Sequence, residues 1–223
     1  MRWGCWYAGL RDGAGEARGK GGLGLRRRGD PILGGMSQAP AKVTLDHPIF
    51  KIIKEAFPSV KFKGTEYRGQ SSLLVEKADA HAVLAFLKSD PRCAYNFLSD
   101  VGGVDYLGYP APMPGRFAVV YNLLSHSRDD RFFVKVYLNP SMPTDGILSD
   151  PALHVDSVCD LWPGAEWPER EVFDMLGIRF DGHPDLRRIL LWEDYPAHPL
   201  RKDYPVRGRG EREQYTVVDR TSA

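Results

Sequence analysis

Residues 116–124 and 131–138, RFAVVYNLL and RFFVKVYL, are runs of β-branched and aromatic residues separated by the short polar stretch Ser125–Asp130. Such runs favour strands, and so short a connection returns the second strand antiparallel to the first. In the second run Phe132, Val134, Val136 and Leu138 alternate with Phe133, Lys135 and Tyr137. Successive strand side chains point to opposite faces, so this is the pattern of a sheet with one face against a core. A chain with this hairpin is committed to a sheet, and its other segments must supply the cover.

Residues 47–57 (HPIFKIIKEAF) place Ile49, Ile52, Ile53 and Phe57 at helical spacing, and Pro58 ends the run. Residues 71–76 (SSLLVE) read as a strand, and residues 78–88 (ADAHAVLAFLK) return to helical spacing with Val83, Leu84 and Leu87 on one face. Residues 94–106 mix aromatics with Gly102-Gly103, which reads as a turn. A Pro/Gly/Ser-rich loop over 139–150 leads into a predicted short helix over 151–162 (PALHVDSVCDLW). Pro168 suits the first position of a further helix, with Val172, Phe173 and Leu176 as its apolar stripe and Gly177 as its C-terminal cap. Glu169 and Glu171 fall in its first turn, where the helix dipole favours a carboxylate by about 0.3–1 kcal/mol.

After Ile178–Phe180 periodicity stops. Pro184, Pro196, Pro199 and Pro205 exclude a long helix or an interior strand. Leu186, Ile189, Leu190, Leu191, Trp192 and Leu200 nevertheless exceed what a solvated loop carries. The organisation expected is therefore α+β. A small mixed or antiparallel sheet with helices packed on it occupies residues 36–180, and an extended tail over 181–223 lies partly on this domain and partly on another surface. Residues 1–35, with Gly19, Gly21, Gly22, Gly24 and three successive arginines Arg26–Arg28, lack apolar periodicity and are expected to be disordered. They read as an upstream extension with Met36 as the true start, or as an arginine-rich targeting peptide.

A net charge of +1 gives no electrostatic case for a global nucleic-acid or membrane-surface binder. No apolar run approaches the ~20 residues that span a bilayer, so membrane association is expected to be peripheral. The cysteines Cys5, Cys93 and Cys159 never form CxxC and fall short of the four thiolates of a cysteine-ligated iron–sulfur cluster. They read as ordinary small apolar or surface residues of a reducing compartment. No glycine-rich nucleotide loop opens a helix. His183, Asp185 and His198 can be drawn as metal ligands, but they do not share a helix face, and proline after each histidine points to turns. Glu169 and Glu171, two apart on a helix, do not face each other as an acid/base pair would. Arg207-Gly208-Arg209 lacks the aromatics of an RNA-binding motif.

Arg170 and Asp174 are four apart and can pair, for only ~0.2–0.5 kcal/mol. A packed polar interface is a better use for that cluster; a solvated helix face is the alternative reading. Arg187 and Arg188 precede the apolar run Ile189–Trp192, and arginine forks suit a partner's carboxylates. Trp192, Tyr195, Arg201 and Tyr204 are residue types enriched at interfaces.

The stretch from Glu169 to Pro205 carries a resemblance. At Glu169-Arg170-Glu171, Asp174-Met175-Leu176, His183, Arg187, Ile189 and Leu190, its spacing resembles the signature of the C subunit family of respiratory complex I, the proton-translocating NADH:quinone oxidoreductase. The flanking LWPGAEWPERE and HPLRKDYP, and upstream FLSDVGGVDYL, RFAVVYNLLSH and RFFVKVYL, extend the likeness over roughly residues 45–207. The resemblance implies an α+β peripheral-arm subunit with no catalytic residues, cofactor or metal of its own. FMN and iron–sulfur clusters would sit on partner subunits, and the complex would lie at the cytoplasmic face of the bacterial inner membrane. The implied partners are the D subunit and neighbouring iron–sulfur subunits. Glu169, Arg170, Glu171, Asp174, His183, Arg187, Arg188, Trp192, Arg201, Lys202 and Tyr204 are the expected interface. An equivalent subunit of a membrane-bound hydrogenase or related complex is the neighbouring reading, and a free-standing metal enzyme using His183, Asp185 and His198 is a third.

Overall fold

The computed structural model describes residues 47–211. The extension expected over 1–35 and the last part of the tail lie outside the described residues. Helix α1 (Pro48–Ala56) starts where sequence periodicity places it. His47 caps it by accepting the Ile49 amide, and Ile49 and Ile53 are its buried stripe. Strands β1 (Phe62–Tyr67) and β2 (Gln70–Val75) form an antiparallel hairpin. Arg68 and Gly69 make its tight turn, both with positive φ (51° and 75°), as two-residue turns of this hand require. β1 went unread in the sequence because Lys63, Gly64, Thr65 and Glu66 carry little apolar alternation. Helix α2 (Ala80–Ser89) follows, burying Val83, Leu84 and Leu87.

Strands β3 (Phe97–Asp105), β4 (Phe117–Ser125) and β5 (Asp130–Leu138) complete a five-stranded sheet in the order β1-β2-β5-β4-β3. The β4–β5 hairpin pairs antiparallel as expected, whereas β2 and β5 pair parallel, so the sheet is mixed. Register aligns core side chains in rows across four strands. One row is Val101, Tyr121, Val134 and Leu73, and the next is Gly103, Val119, Val136 and Val75. Alternation in β5 holds residue by residue, with Phe132, Val134, Val136 and Leu138 buried. Full burial of such a side chain contributes about 1.5–3 kcal/mol.

The last strands and helix depart from expectation in three places. Gly102-Gly103 is not a turn but lies inside β3. A Cβ on Gly103 would collide with the side chains of Leu176 and Val172, so glycine is what lets the following helix sit close on this strand. Residues 151–162 do not form a helix. A 3-10 turn at Pro151–Leu153, capped by Asp150, leads into strand β6 (His154–Asp156), which pairs parallel with β7 (Arg179–Asp181). Pairing with a strand made some 25 residues later overrides a weak local helical pattern. Helix α3 (Glu166–Leu176) begins before Pro168, following a 3-10 turn at Pro163–Ala165. Pro168 stays within its first turn, where no amide partner is lost. Gly177 ends α3 in the left-handed conformation (φ 74°), as the sequence implied.

Candidate functional site

Between β7 and Gly210 the chain forms no helix or strand, yet it is tightly held against α3 and the sheet. Asp174, fully buried on α3, organises it. One carboxylate oxygen accepts the successive amides of Ile189, Leu190 and Leu191 at 3.1, 2.8 and 2.9 Å. The other accepts Arg188 Nη1 at 2.7 Å. Burial pushes this carboxyl up, but the Leu191 amide, the Arg188 guanidinium and the other two amides outweigh it, and the group lies below the usual carboxylate range. Arg188 also donates through Nη2 to the carbonyls of Tyr195 and Ala197. Arg170 does not pair with Asp174 as its spacing allowed. It donates instead to the carbonyls of Arg187 and Arg188, because the buried Asp174 is saturated by the tail.

The end of α3 uses the same segment. The last carbonyls of a helix lack partners within it. Here Asp174 O accepts from His198 Nδ1 at 2.9 Å, Met175 O from the Leu200 amide at 3.1 Å and Leu176 O from Arg201 Nε at 2.6 Å. Arg201, almost wholly buried, also donates to the carbonyls of Thr144 and Gly146. Its positive charge at a helix C-terminus complements the dipole. Burial, with the charges of Arg201 and Arg188, pushes His198 down to about 4 against the pull of its bond to Asp174, so the imidazole is neutral near pH 7.

A second anchor joins the tail to the sheet. Arg116, just before β4, grips Asp105 at the end of β3 through Nε and Nη2 (3.2 and 3.1 Å) and reaches Asp203 at 2.8 Å. Asp105 in turn accepts the Lys202 amide at 2.9 Å. Asp105, Arg116 and Asp203 escaped the sequence reading. The only available signal was opposite charge at the facing ends of two strands whose pairing was not yet known.

The expected interface set therefore divides. Glu169, Asp174 and Arg201 are buried, and Arg188 is nearly so, each bonded within the chain. Glu171, Arg187 and Lys202 are exposed, and Arg187 pairs with its neighbour Asp185. Trp192 stands edge-on to Tyr195 at 4.5 Å, and the Tyr195 hydroxyl meets that of Tyr204 at 2.6 Å. With Leu191 and Pro199 these rings line a surface cavity of about 560 Å³. Trp167 on α3 and Leu190 and Leu200 on the tail remain more than half exposed.

The metal trio drawn from sequence is not assembled, since Asp185 faces Arg187 and His198 is buried against Asp174 O. Another group is. Among the described residues Cys159, Glu169 and His183 bring a thiol, a carboxylate and an imidazole within 4.8 Å of one another.

Comparison with known proteins agrees with this geometry. Residues 73–210 match the family model described as the 30 Kd subunit of respiratory-chain NADH dehydrogenase. The NADH-quinone oxidoreductase C subunit of Geotalea uraniireducens is 42% identical over 163 residues, covering 73% of this chain and 89% of that protein. NADH-quinone oxidoreductase subunit 5 of Thermus thermophilus is 50% identical over 120 residues, half of this chain and 52% of that one. Among solved structures, a trypsin-resistant fragment of Nqo5 superposes with a TM-score of 0.50 at 35% identity, covering 62% of this chain and 98% of the fragment. A chain of an archaeal membrane-bound sulfane sulfur reductase shares the fold, with a TM-score of 0.55 at 23% identity over 77% of this chain and 92% of its own. The chain belongs to the family of the 30 Kd subunit of respiratory-chain NADH dehydrogenase, the C subunit of NADH-quinone oxidoreductases.

Proposed function

We propose that this chain is a docking subunit of the peripheral arm of a proton-pumping NADH:quinone oxidoreductase, carrying no catalytic residue or redox cofactor itself. FMN and iron–sulfur clusters belong to its partners in this reading, and its principal contact is the D subunit. The observation that carries it is the division of labour in the tail. The buried groups Asp174, Arg188 and Arg201 fix a segment without regular structure in one conformation. That conformation presents Leu190, Leu200, Arg187 and Lys202 outward. A rigid ridge of apolar side chains flanked by cations, beside Trp167, suits an acidic-rimmed apolar partner surface, and pre-organising it lowers the entropy lost on docking. No helix among the described residues is long and apolar enough to cross a membrane, so attachment to the cytoplasmic face of the inner membrane would run through the complex.

The test is co-purification of a tagged chain from solubilised membranes. Flavin-, NADH- and quinone-binding subunits should accompany it. Leu190→Asp and Arg187→Ala should reduce the assembled fraction while leaving activity per assembled complex within a few-fold. A variant that assembles fully but has lost quinone reduction would overturn the docking role. Recovery of hydrogenase-type subunits instead would assign the chain to a related complex.

A further inference from the structure

Three segments converge at the start of α3: the turn after β6, the first turns of the helix and the loop after β7. They carry Cys159, Glu169 and His183, whose Sγ, carboxylate oxygen and ring nitrogen lie within 4.8 Å of one another. Thiolate, carboxylate and imidazole are the ligand types zinc takes in proteins. A tetrahedral zinc with bonds of about 2.0–2.3 Å holds its ligand atoms about 3.5 Å apart. Cys159 Sγ already stands 3.5 Å from Glu169 Oε2. Cys159 and His183 are half-buried, so an ion has a way in and their side chains have room to turn.

We propose that Cys159, Glu169 and His183 form a structural site for one Zn2+ ion, with water as the fourth ligand.

The charge arrangement supports it. Buried carboxylates need compensation. Asp105 and Asp174 each face an arginine, and buried Asp150 accepts four neutral hydrogen bonds that hold it below the usual carboxylate range. Glu169, fully buried, has no arginine or lysine at ion-pair distance among the described residues; it accepts only neutral donors, Ser157 Oγ at 2.6 Å, the Val158 amide at 2.8 Å and the Cys159 thiol. Its carboxyl is accordingly pushed above the usual range by burial, against those hydrogen bonds. The hydroxyl of Tyr121, wholly buried and without a hydrogen-bond partner among the described residues, lies in the field of the same carboxylate. Bonds from Ser157 and Val158 hold Glu169 as outer-shell partners hold a metal ligand. Zn2+ taken up by one thiolate, one carboxylate and a neutral imidazole makes an uncharged centre. The thiol loses its proton to solvent as the Zn–S bond forms, and no electron moves. His183 donates through Nε2 to the Glu166 carbonyl and accepts the Asp185 amide at Nδ1. Coordination exchanges one of these neutral hydrogen bonds for a stronger metal–nitrogen bond. The site would rivet the point where the tail leaves the core. This reading replaces the expectation of a metal-free chain and does not depend on the docking partner.

The full chain, purified and stripped with EDTA, is titrated with Co2+ as a spectroscopic probe and then with Zn2+. One equivalent of Co2+ should give a thiolate charge-transfer band and tetrahedral d–d absorption, both abolished by Zn2+. Zn2+ should raise the melting temperature. Cys159→Ser should remove the band and the shift. His183→Gln should weaken binding by ~10-fold or more, at least what outer-shell losses produce. Cys5→Ser and Cys93→Ser should change neither. The unsubstituted chain tests thiolate ligation without any variant having to fold. Absence of a charge-transfer band at saturating Co2+, survival of the band in Cys159→Ser, or a melting temperature indifferent to Zn2+ would overturn the site.

Discussion

Asp174 and Arg188, fourteen residues apart, meet at 2.7 Å inside the molecule, and the same carboxylate collects the three amides that follow Arg188. A helix side chain thus dictates the path of a segment that has no secondary structure to dictate its own. Four hydrogen bonds to one carboxylate are a local nest closed by a cation, which explains how so irregular a stretch is held in place.

Removing the cation should be costly. Arg188→Ala leaves Asp174 buried beside amides alone and frees the carbonyls of Tyr195 and Ala197. Urea unfolding of the isolated chain should show a loss of about 3 kcal/mol, near the low end for orphaning one member of a buried pair because the amides remain. Arg187→Ala, removing an exposed and solvent-screened pair with Asp185, should leave the urea midpoint close to that of the parent chain.

Acid should loosen the tail in two stages. His198 titrates near 4 in the folded chain and near 6.5 unfolded, so between those values the unfolded chain binds the extra proton. Its contribution, up to roughly 3 kcal/mol, is whole above pH ~6.5 and is lost as pH falls toward 4. The depressed carboxyls of Asp174 and Asp105 act lower, giving up their contribution as pH drops below about 4. Urea midpoints measured from pH 7 to 4 should fall in the parent chain and flatten in His198→Asn. An equal slope in both would place the titrating group elsewhere.

Gly177→Ala combines two faults. The position has φ 74°, and a Cβ there would run into the Arg201 guanidinium and the His198 ring. Left-handed strain alone costs about 1–2 kcal/mol. Displacing two capping side chains should bring the total to about 2–3 kcal/mol, or roughly 4–12 °C in Tm for a domain of this size. A melting curve unchanged within 2 °C would mean that the cap readjusts freely.

Much of this was legible in the sequence. The β4–β5 hairpin, the faces of α1 and α2 and the glycine stop at Gly177 follow from periods of two and 3.6 and from backbone sterics, which are local. The tail was legible only in composition. That Arg188 and Arg201 are buried inward while Arg187 and Lys202 face out depends on which carbonyls of α3 stand opposite them, and those are fixed by tertiary packing. Gly103 shows the limit from the other side, since a residue chosen for the helix that packs on it looked like a turn. Cys159, Glu169 and His183 sit on three separate elements at unremarkable spacings, so no motif announced them.

Trypsin offers a direct view of where the anchoring stops. Arg188 and Arg201 are tied down by their own guanidinium groups and Arg209 by its bond to the Asp145 carbonyl, whereas Arg207 is exposed on the loop between Tyr204 and Glu211. Cleavage of the isolated chain should begin at Arg207 and reach Arg188 only after unfolding. Assembly into the complex should slow the first cuts. Early cleavage at Arg188 would show that the nest around Asp174 opens readily.

The cap of α3 also has a place in time. Its terminal carbonyls belong to residues 174–176, and the groups that satisfy them arrive with residues 198–201, so synthesis from the N-terminus produces the helix well before its cap. While the nascent chain is still short of His198, the sheet and the helix can already be in place, with the carbonyl end of α3 open to solvent or to a chaperone. Emergence of residues 198–201 from the ribosome is then the event that closes the helix and shapes the outward ridge together. An assembling partner that reads the ridge would thereby be kept from engaging an unfinished chain.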